Sequence, residues 1–146
     1  MVVRLAFVAC LALLLFGPTA KSQDASRATE DGSAAGDAVS KAASMAEREL
    51  EIGRNYMSRR YYVGAINRFK VVATQFPSSS VIDQVLFRLV QAYLTIGIRN
   101  EAQAAAAALN RKFPQSHWRS EALDILQKAG LEPAENEKSW ISRAFQ

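Results

Sequence analysis

The sequence predicts an all-α fold in which two helical hairpins stack and a fifth helix closes the row. Three observations carry that expectation. The chain repeats itself at a shift of 37 residues, apolar residues recur in each copy at helical spacing, and a proline or glycine stands where most of the helices must stop. The shift lays Tyr56 on Tyr93, Ala65 on Ala102, Phe76-Pro77 on Phe113-Pro114 and Ser79 on Ser116.

Taken in order, residues 1–22 read as a secretory signal peptide. Arg4 supplies the positive start, Leu5–Phe16 is an apolar run of twelve, and Gly17-Pro18 ends it. Ala20-Lys21-Ser22 places small residues at the two positions a signal peptidase reads, so cleavage is expected after Ser22. Two other readings stand beside it. The run is short of the ~20 apolar residues that span a bilayer, which weighs against an uncleaved anchor. Phe7-Val8-Ala9-Cys10 loosely resembles a lipidation motif, with too little apolar chain before Cys10 and too much after it. Residues 23–44 are rich in Ala, Ser, Gly and Asp, with Val39 the only large apolar residue among them. They are expected to form a flexible tether, because so little buriable surface does not offset the entropy of ordering; as a coil the segment spans roughly 25 Å.

The repeat domain is expected over residues 45–131, with copies at about 46–79 and 83–116 and helices near 45–59, 62–75, 80–95, 100–112 and 117–128. Val85, Leu86, Leu89, Val90 and Tyr93 make one apolar stripe, and Ile66, Phe69, Val72 and Ala73 make another. Gly53, Ala65 and Ala102 are small where two helix backbones cross closely. Pro77 and Pro114 stop the second helix of each pair, and Ser79 and Ser116 are placed to cap the next. Gly97 closes the third helix, Asn100 opens the fourth, and Gly130 ends the fifth. Ala122, Leu123 and Leu126 repeat Val85, Leu86 and Leu89 one shift later, so the helix at 117–128 serves as a cap. In residues 132–146, Trp140, Ile141 and Phe145 are too apolar for a solvated tail, which is expected to dock. Two hairpins and one helix fall short of the three repeats such stacks want, so a partner, a second copy or the tail should cover the exposed first helix.

Ile52-Gly53, Tyr56, Ala65, Phe69 and Pro77 follow the tetratricopeptide pattern, with Glu49 where its Trp would stand. The second copy keeps Tyr93, Ala102 and Pro114 and departs at Val90 and Ala106, where the packing should differ. The fold class is therefore a tetratricopeptide-repeat α-solenoid. More specifically, residues 49–131, with Ala65-Ile66-Asn67-Arg68-Phe69, Arg88-Leu89-Val90-Gln91-Ala92-Tyr93 and Asn100-Glu101-Ala102-Gln103-Ala104-Ala105-Ala106, resemble the C-terminal repeats of the BamD family of outer-membrane assembly lipoproteins. Trp140-Ile141-Ser142-Arg143-Ala144-Phe145 resembles the ending of alphaproteobacterial members. The resemblance implies a periplasmic scaffold for inserting β-barrel proteins, with the POTRA domains of BamA, and other components of that machine, as partners. It also implies that Asn67 and Arg68 form the partner contact, with Arg68 meeting BamA. Family members are about twice as long, and the N-terminal repeats implicated in receiving substrates have no counterpart here.

Other function classes fare poorly. Basic residues are scattered through a chain of net charge +4, which does not mark a nucleic-acid surface. His117 is the only histidine and Cys10 the only cysteine, so no catalytic constellation or metal site is spaced out, and neither enzyme activity nor a cofactor is expected. His117 reads as a surface or capping residue, and Glu47, Arg48, Glu49, Glu51 and Arg54 as a solvated helix face. The first helices of such hairpins line a concave face, which makes Leu50, Arg54, Phe87, Arg88 and Gln91 candidates to hold a peptide. The bland reading of Arg68 is a solvated side chain with its stem over Tyr61 or Tyr62. A generic periplasmic repeat adaptor for envelope or division proteins, and a holdase for unfolded outer-membrane proteins, are the alternative functions. Membrane association would then come through partners, and self-association is open.

Overall fold

The computed structural model describes residues 24–146, with side chains from residue 34 onward; the expected signal peptide and Cys10 lie outside the described residues. Six helices follow in chain order: α1 (Asp24–Ser58), α2 (Tyr62–Gln75), α3 (Ile82–Thr95), α4 (Arg99–Lys112), α5 (His117–Lys128) and the short α6 (Trp140–Ala144). Each packs on its predecessor through α4, α5 lies across α3 and α4, and α6 returns to α4. None of the described helices is long and apolar enough to cross a membrane. The architecture is the expected all-α stack of two hairpins and a capping helix.

The core forms where the two stripes meet. Phe69, Val72, Val85, Leu86, Leu89 and Val90 are wholly buried, and α3, flanked by α2, α4 and α5, contributes more large buried side chains than any other helix. Between α1 and α2 the crossing is close because Gly53 leaves its volume to the Phe69 ring. A Cβ on Gly53 would stand 2.7 Å from Phe69 Cδ1 and 2.9 Å from Cζ. One shift later the sizes are exchanged: Val90 and Ala106 occupy the equivalent places, buried at 0% and 1% exposure, a larger residue on the first helix and a smaller one on the second. This is the local difference in packing expected from the two departures.

Three helices end alike. Arg60 N donates to Met57 O and Tyr61 N to Tyr56 O; Gly97 and Ile98, then Gly130 and Leu131, repeat the same pair of bonds at the ends of α3 and α5. This is the Schellman closure, which needs a left-handed residue at its centre, and Arg60 (φ 63°), Gly97 (φ 79°) and Gly130 (φ 70°) supply it. Ser116 caps α5, accepting from Trp118 N at 3.1 Å. Ser79 makes a weaker contact, accepting from Val81 N at 3.4 Å ahead of the helix that starts at Ile82. Asn100 does not cap α4. The helix begins one residue earlier behind Ile98, and no side chain caps it.

Two expectations need correction. The tether is helical: α1 runs back to Asp24 through residues 23–44, bar the first. The absence of large apolar residues says that a segment is not buried, but Ala, Glu and Lys favour helix whether buried or not, and residues 34–41 are indeed exposed along this helix. The tail docks as expected, but on α4 rather than on the open side of α1. Ile141 and Phe145 are buried at 0% and 5% exposure, Ser139 caps α6 and donates to Glu101 Oε2 at 2.7 Å, and Trp140 Nε1 donates to Tyr93 Oη at 2.9 Å. Arg111 holds the same strap through Glu135 and the Phe145 carbonyl.

Candidate protein-binding site

Arg68 stands on the face where α1 and α2 meet. Helical spacing puts Phe69, Ile66 and Ala65 inward and turns Asn67 out, leaving Arg68 at the boundary with its side chain 42% exposed. Its Nη1 donates to Glu49 Oε2 at 3.4 Å, and its guanidinium carbon lies 6.0 Å from the centre of the Tyr56 ring. The ring beneath it is thus Tyr56, not Tyr61 or Tyr62. Glu49, whose side chain is only 22% exposed, is no longer a member of a solvated face. The hydrogen bond and charge of Glu49, with a smaller contribution from Tyr56, hold the Arg68 guanidinium above the usual arginine range.

This arrangement orients more than it stabilises, since an ion pair open to solvent is screened by water and adds little to stability. A guanidinium has five N–H donors in a rigid fork. With Glu49 accepting at Nη1, the remainder can meet an incoming carboxylate. Tyr56, Gly64, Asn67, Arg68 and Val71 border a shallow depression of about 300 Å³ here. Sequence reasoning did not find Glu49 as a partner of Arg68. The signal was its place in the repeat pattern, where a Trp would stand and a carboxylate stands instead.

The concave candidates divide. Leu50 and Phe87 belong to the core, at 5% and 2% exposure, and do not face a ligand. Both lie on apolar stripes wide enough to wrap past the groove, which the pattern alone did not separate. Arg54, Arg88 and Gln91 do line one open groove of about 450 Å³, joined by Met57, Ser58, Tyr62 and Thr95. Arg88 is fixed within it: Nη1 donates to Gln91 Oε1 at 2.9 Å, and its guanidinium lies against the stacked rings of Phe87 and Trp118. Its Nε is buried without an acceptor. Burial, and then the nearby Arg54, push Arg88 below the usual arginine range, with Glu121 opposing. Arg54 pairs with the exposed Glu51 at 3.2 Å. His117 is a surface residue, 3.3 Å from Glu121 and edge-on to Trp118.

The signature residues Gly53, Tyr56, Ala65, Phe69, Tyr93 and Ala102 lie in or against this core, and α2 and α4 stop just before Pro77 and Pro114. Residues 33–109, which hold both surfaces, match the family model described as "YfiO: Outer membrane lipoprotein". The chain is 41% identical over 90 residues to a protein of Caulobacter vibrioides named outer membrane protein assembly factor BamD, covering 62% of this chain and 30% of that one. It is 31% identical over 83 residues to the Rickettsia prowazekii protein of the same name, covering 57% of this chain and 33% of that one. The chain therefore spans about a third of the length of the curated relatives it matches. No solved structure matches it.

Proposed function

The chain belongs to the YfiO family of outer membrane lipoproteins, and from that premise we propose that it is a non-catalytic scaffold in the assembly of outer-membrane β-barrel proteins, working at the periplasmic face of that membrane. The observation that carries the reading is where the family match falls. It covers residues 33–109, the part of the chain that holds Glu49, Tyr56, Asn67 and Arg68 in one half-buried cluster at the surface. Asn67 and Arg68 are the partner contact, and the partner is a BamA-like POTRA domain presenting a carboxylate to Arg68. Glu49 positions the guanidinium for it. The Arg54, Arg88 and Gln91 groove is a second surface of the same scaffold, suited to an extended segment with acidic side chains.

Co-purification from envelope extracts tests the assignment. Removing one side of a desolvated charge pair costs about 2–5 kcal/mol of binding, enough to lose a micromolar complex at working concentrations. Arg68→Glu is therefore expected to abolish recovery of a BamA-like protein while the circular dichroism of the chain stays unchanged. Undiminished recovery with that variant sinks the site. Recovery of cell-wall synthases, or of assorted unfolded barrel proteins, in place of the BamA-like protein would instead favour an adaptor or a holdase.

A further inference from the structure

Ser58, Tyr62 and Thr95 line one groove, which puts the α1–α2 and α3–α4 turns side by side at one edge of the stack. The connections at the other edge are bland: Pro77-Ser78-Ser79-Ser80 and Pro114-Gln115 carry no charge. This edge carries Arg59, Arg60, Tyr61 and Val63 on one turn and Ile98 and Arg99 on the next, all exposed. Tyr61, Val63 and Ile98, at 65%, 64% and 43% exposure, are three of the five large apolar side chains that the described residues leave exposed. No acid lies within residues 59–64 or 96–100, and none of the three arginines forms an ion pair among the described residues.

Fold stability does not explain this composition. Arg60 occupies the left-handed position that its repeat counterpart Gly97 fills without strain. Arg99 opens α4, the helix end whose partial positive charge disfavours a cation. Tyr61 and Ile98 follow the left-handed residue of their closures, where an apolar side chain commonly folds back on the helix, yet Tyr61 points largely to solvent and Ile98 stays partly open to it.

We propose that this edge rests on an anionic phospholipid surface. Exposed turn tips fit a flat surface rather than a cleft. Tyr61, Val63 and Ile98 would enter the headgroup region, and the arginines would reach the phosphates while their stems lie along the apolar layer. This contact goes beyond the assembly role and needs no part of it, since the lipid itself is the ligand.

Flotation of the full chain with vesicles of phosphatidylcholine containing about a third phosphatidylglycerol, against phosphatidylcholine alone, tests it. The apolar run Leu5–Phe16 can bind vesicles by itself, so every variant keeps it and differences between variants are read. Replacing Arg59, Arg60 and Arg99 together by Glu should weaken partition to the anionic vesicles by on the order of a hundredfold or more, since each basic residue contributes roughly fivefold. Replacing Tyr61, Val63 and Ile98 by Ser should also weaken it, and Arg68→Glu, away from the edge, should change it little. Raising salt from about 0.1 M to 1 M, which shortens the screening length from about 10 to 3 Å, should release the parent to the level of the arginine variant. If the triple variants lose helicity, Arg60→Gly decides instead, because it relieves the strained turn; it should melt higher and bind anionic vesicles about fivefold less. Variants that float like the parent, or a parent indifferent to phosphatidylglycerol, overturn the proposal. So does an edge variant that keeps its vesicles but loses a protein from envelope extracts, which would make the edge a protein interface.

Discussion

Gly53 on α1 and Gly64 on α2 each lie against an aromatic ring of the other helix and answer the same substitution in opposite ways. Alanine is the better helix former by about 1 kcal/mol at either place. At Gly53 the new methyl meets the Phe69 ring inside a packed crossing, and overpacking there costs about 1–3 kcal/mol. At Gly64 it would lie 3.4 Å from Tyr56 Cδ2, an ordinary contact. Gly53→Ala should therefore lower the melting temperature and Gly64→Ala should leave it level or raise it; equal shifts in thermal melts would mean that the crossing is looser than described. Ala65→Leu belongs with Gly53→Ala, since Ala65 is wholly buried on α2, the helix that carries Phe69. Tyr93 supplies a test of a different kind. Burial keeps its phenol neutral to higher pH than a free tyrosine, against the smaller opposing effect of the Trp140 hydrogen bond. The folded chain thus holds that proton more tightly than the unfolded chain. The contribution is complete below about pH 10 and is lost as pH rises through the raised value. Melts taken above pH 10 should fall more steeply for the parent than for Tyr93→Phe, and parallel slopes would remove Tyr93 from the alkaline transition.

The terminal strap shows how much an element of five residues adds when its caps and apolar side chains agree. Ile141 is wholly buried and Ser139 both caps α6 and reaches Glu101, so the strap is fastened at its start and middle. Ile141→Ala should cost about 2–5 kcal/mol and Ser139→Ala about 0.5–2, each read from the denaturant midpoint at unchanged slope. A tail that merely lies on the surface would give shifts near zero. The docking was legible in Trp140, Ile141 and Phe145; the place was not, because nothing local to those residues points to Tyr93 or Glu101. The same division runs through the molecule. Helices α2 to α5 came out within about two residues of their expected ends, since proline, glycine and the stripes act on neighbours in sequence. The start of α1 was missed because apolar patterning reports burial, and an Ala-rich helix can stand outside the core. Leu50 and Phe87 were misplaced because a stripe marks the buried side without marking its edges. The Glu49–Arg68 pair spans 19 residues and emerges only when α1 and α2 are laid together.

At the scale of the whole molecule, stability should be graded along the stack. α3 is enclosed by α2, α4 and α5, whereas α1 rests chiefly on α2 and, from residue 34 onward, its first buried residue is Ala46. Ahead of Ala46, Val39 is 71% exposed, and helical hydrogen bonds there have little packing behind them. A helix without a buried face depends on propensity alone, which is marginal in water, so residues 34–45 should open locally at a small fraction of the free energy that unfolds α3. Amide hydrogen exchange followed by mass spectrometry measures this directly. Peptides from α3 and α4 are expected to exchange only through global unfolding, α1 beyond Ala46 faster, and residues 34–45 fastest. Repeat stacks want a neighbour on each side, and the tail spends its apolar residues on α4, so the open side of α1 is where a further repeat-like surface would add protection. If a monomeric sample protects residues 34–45 as strongly as α3, the graded picture is wrong. If that protection appears only at high concentration and fades on dilution, a second copy is the neighbour that α1 lacks.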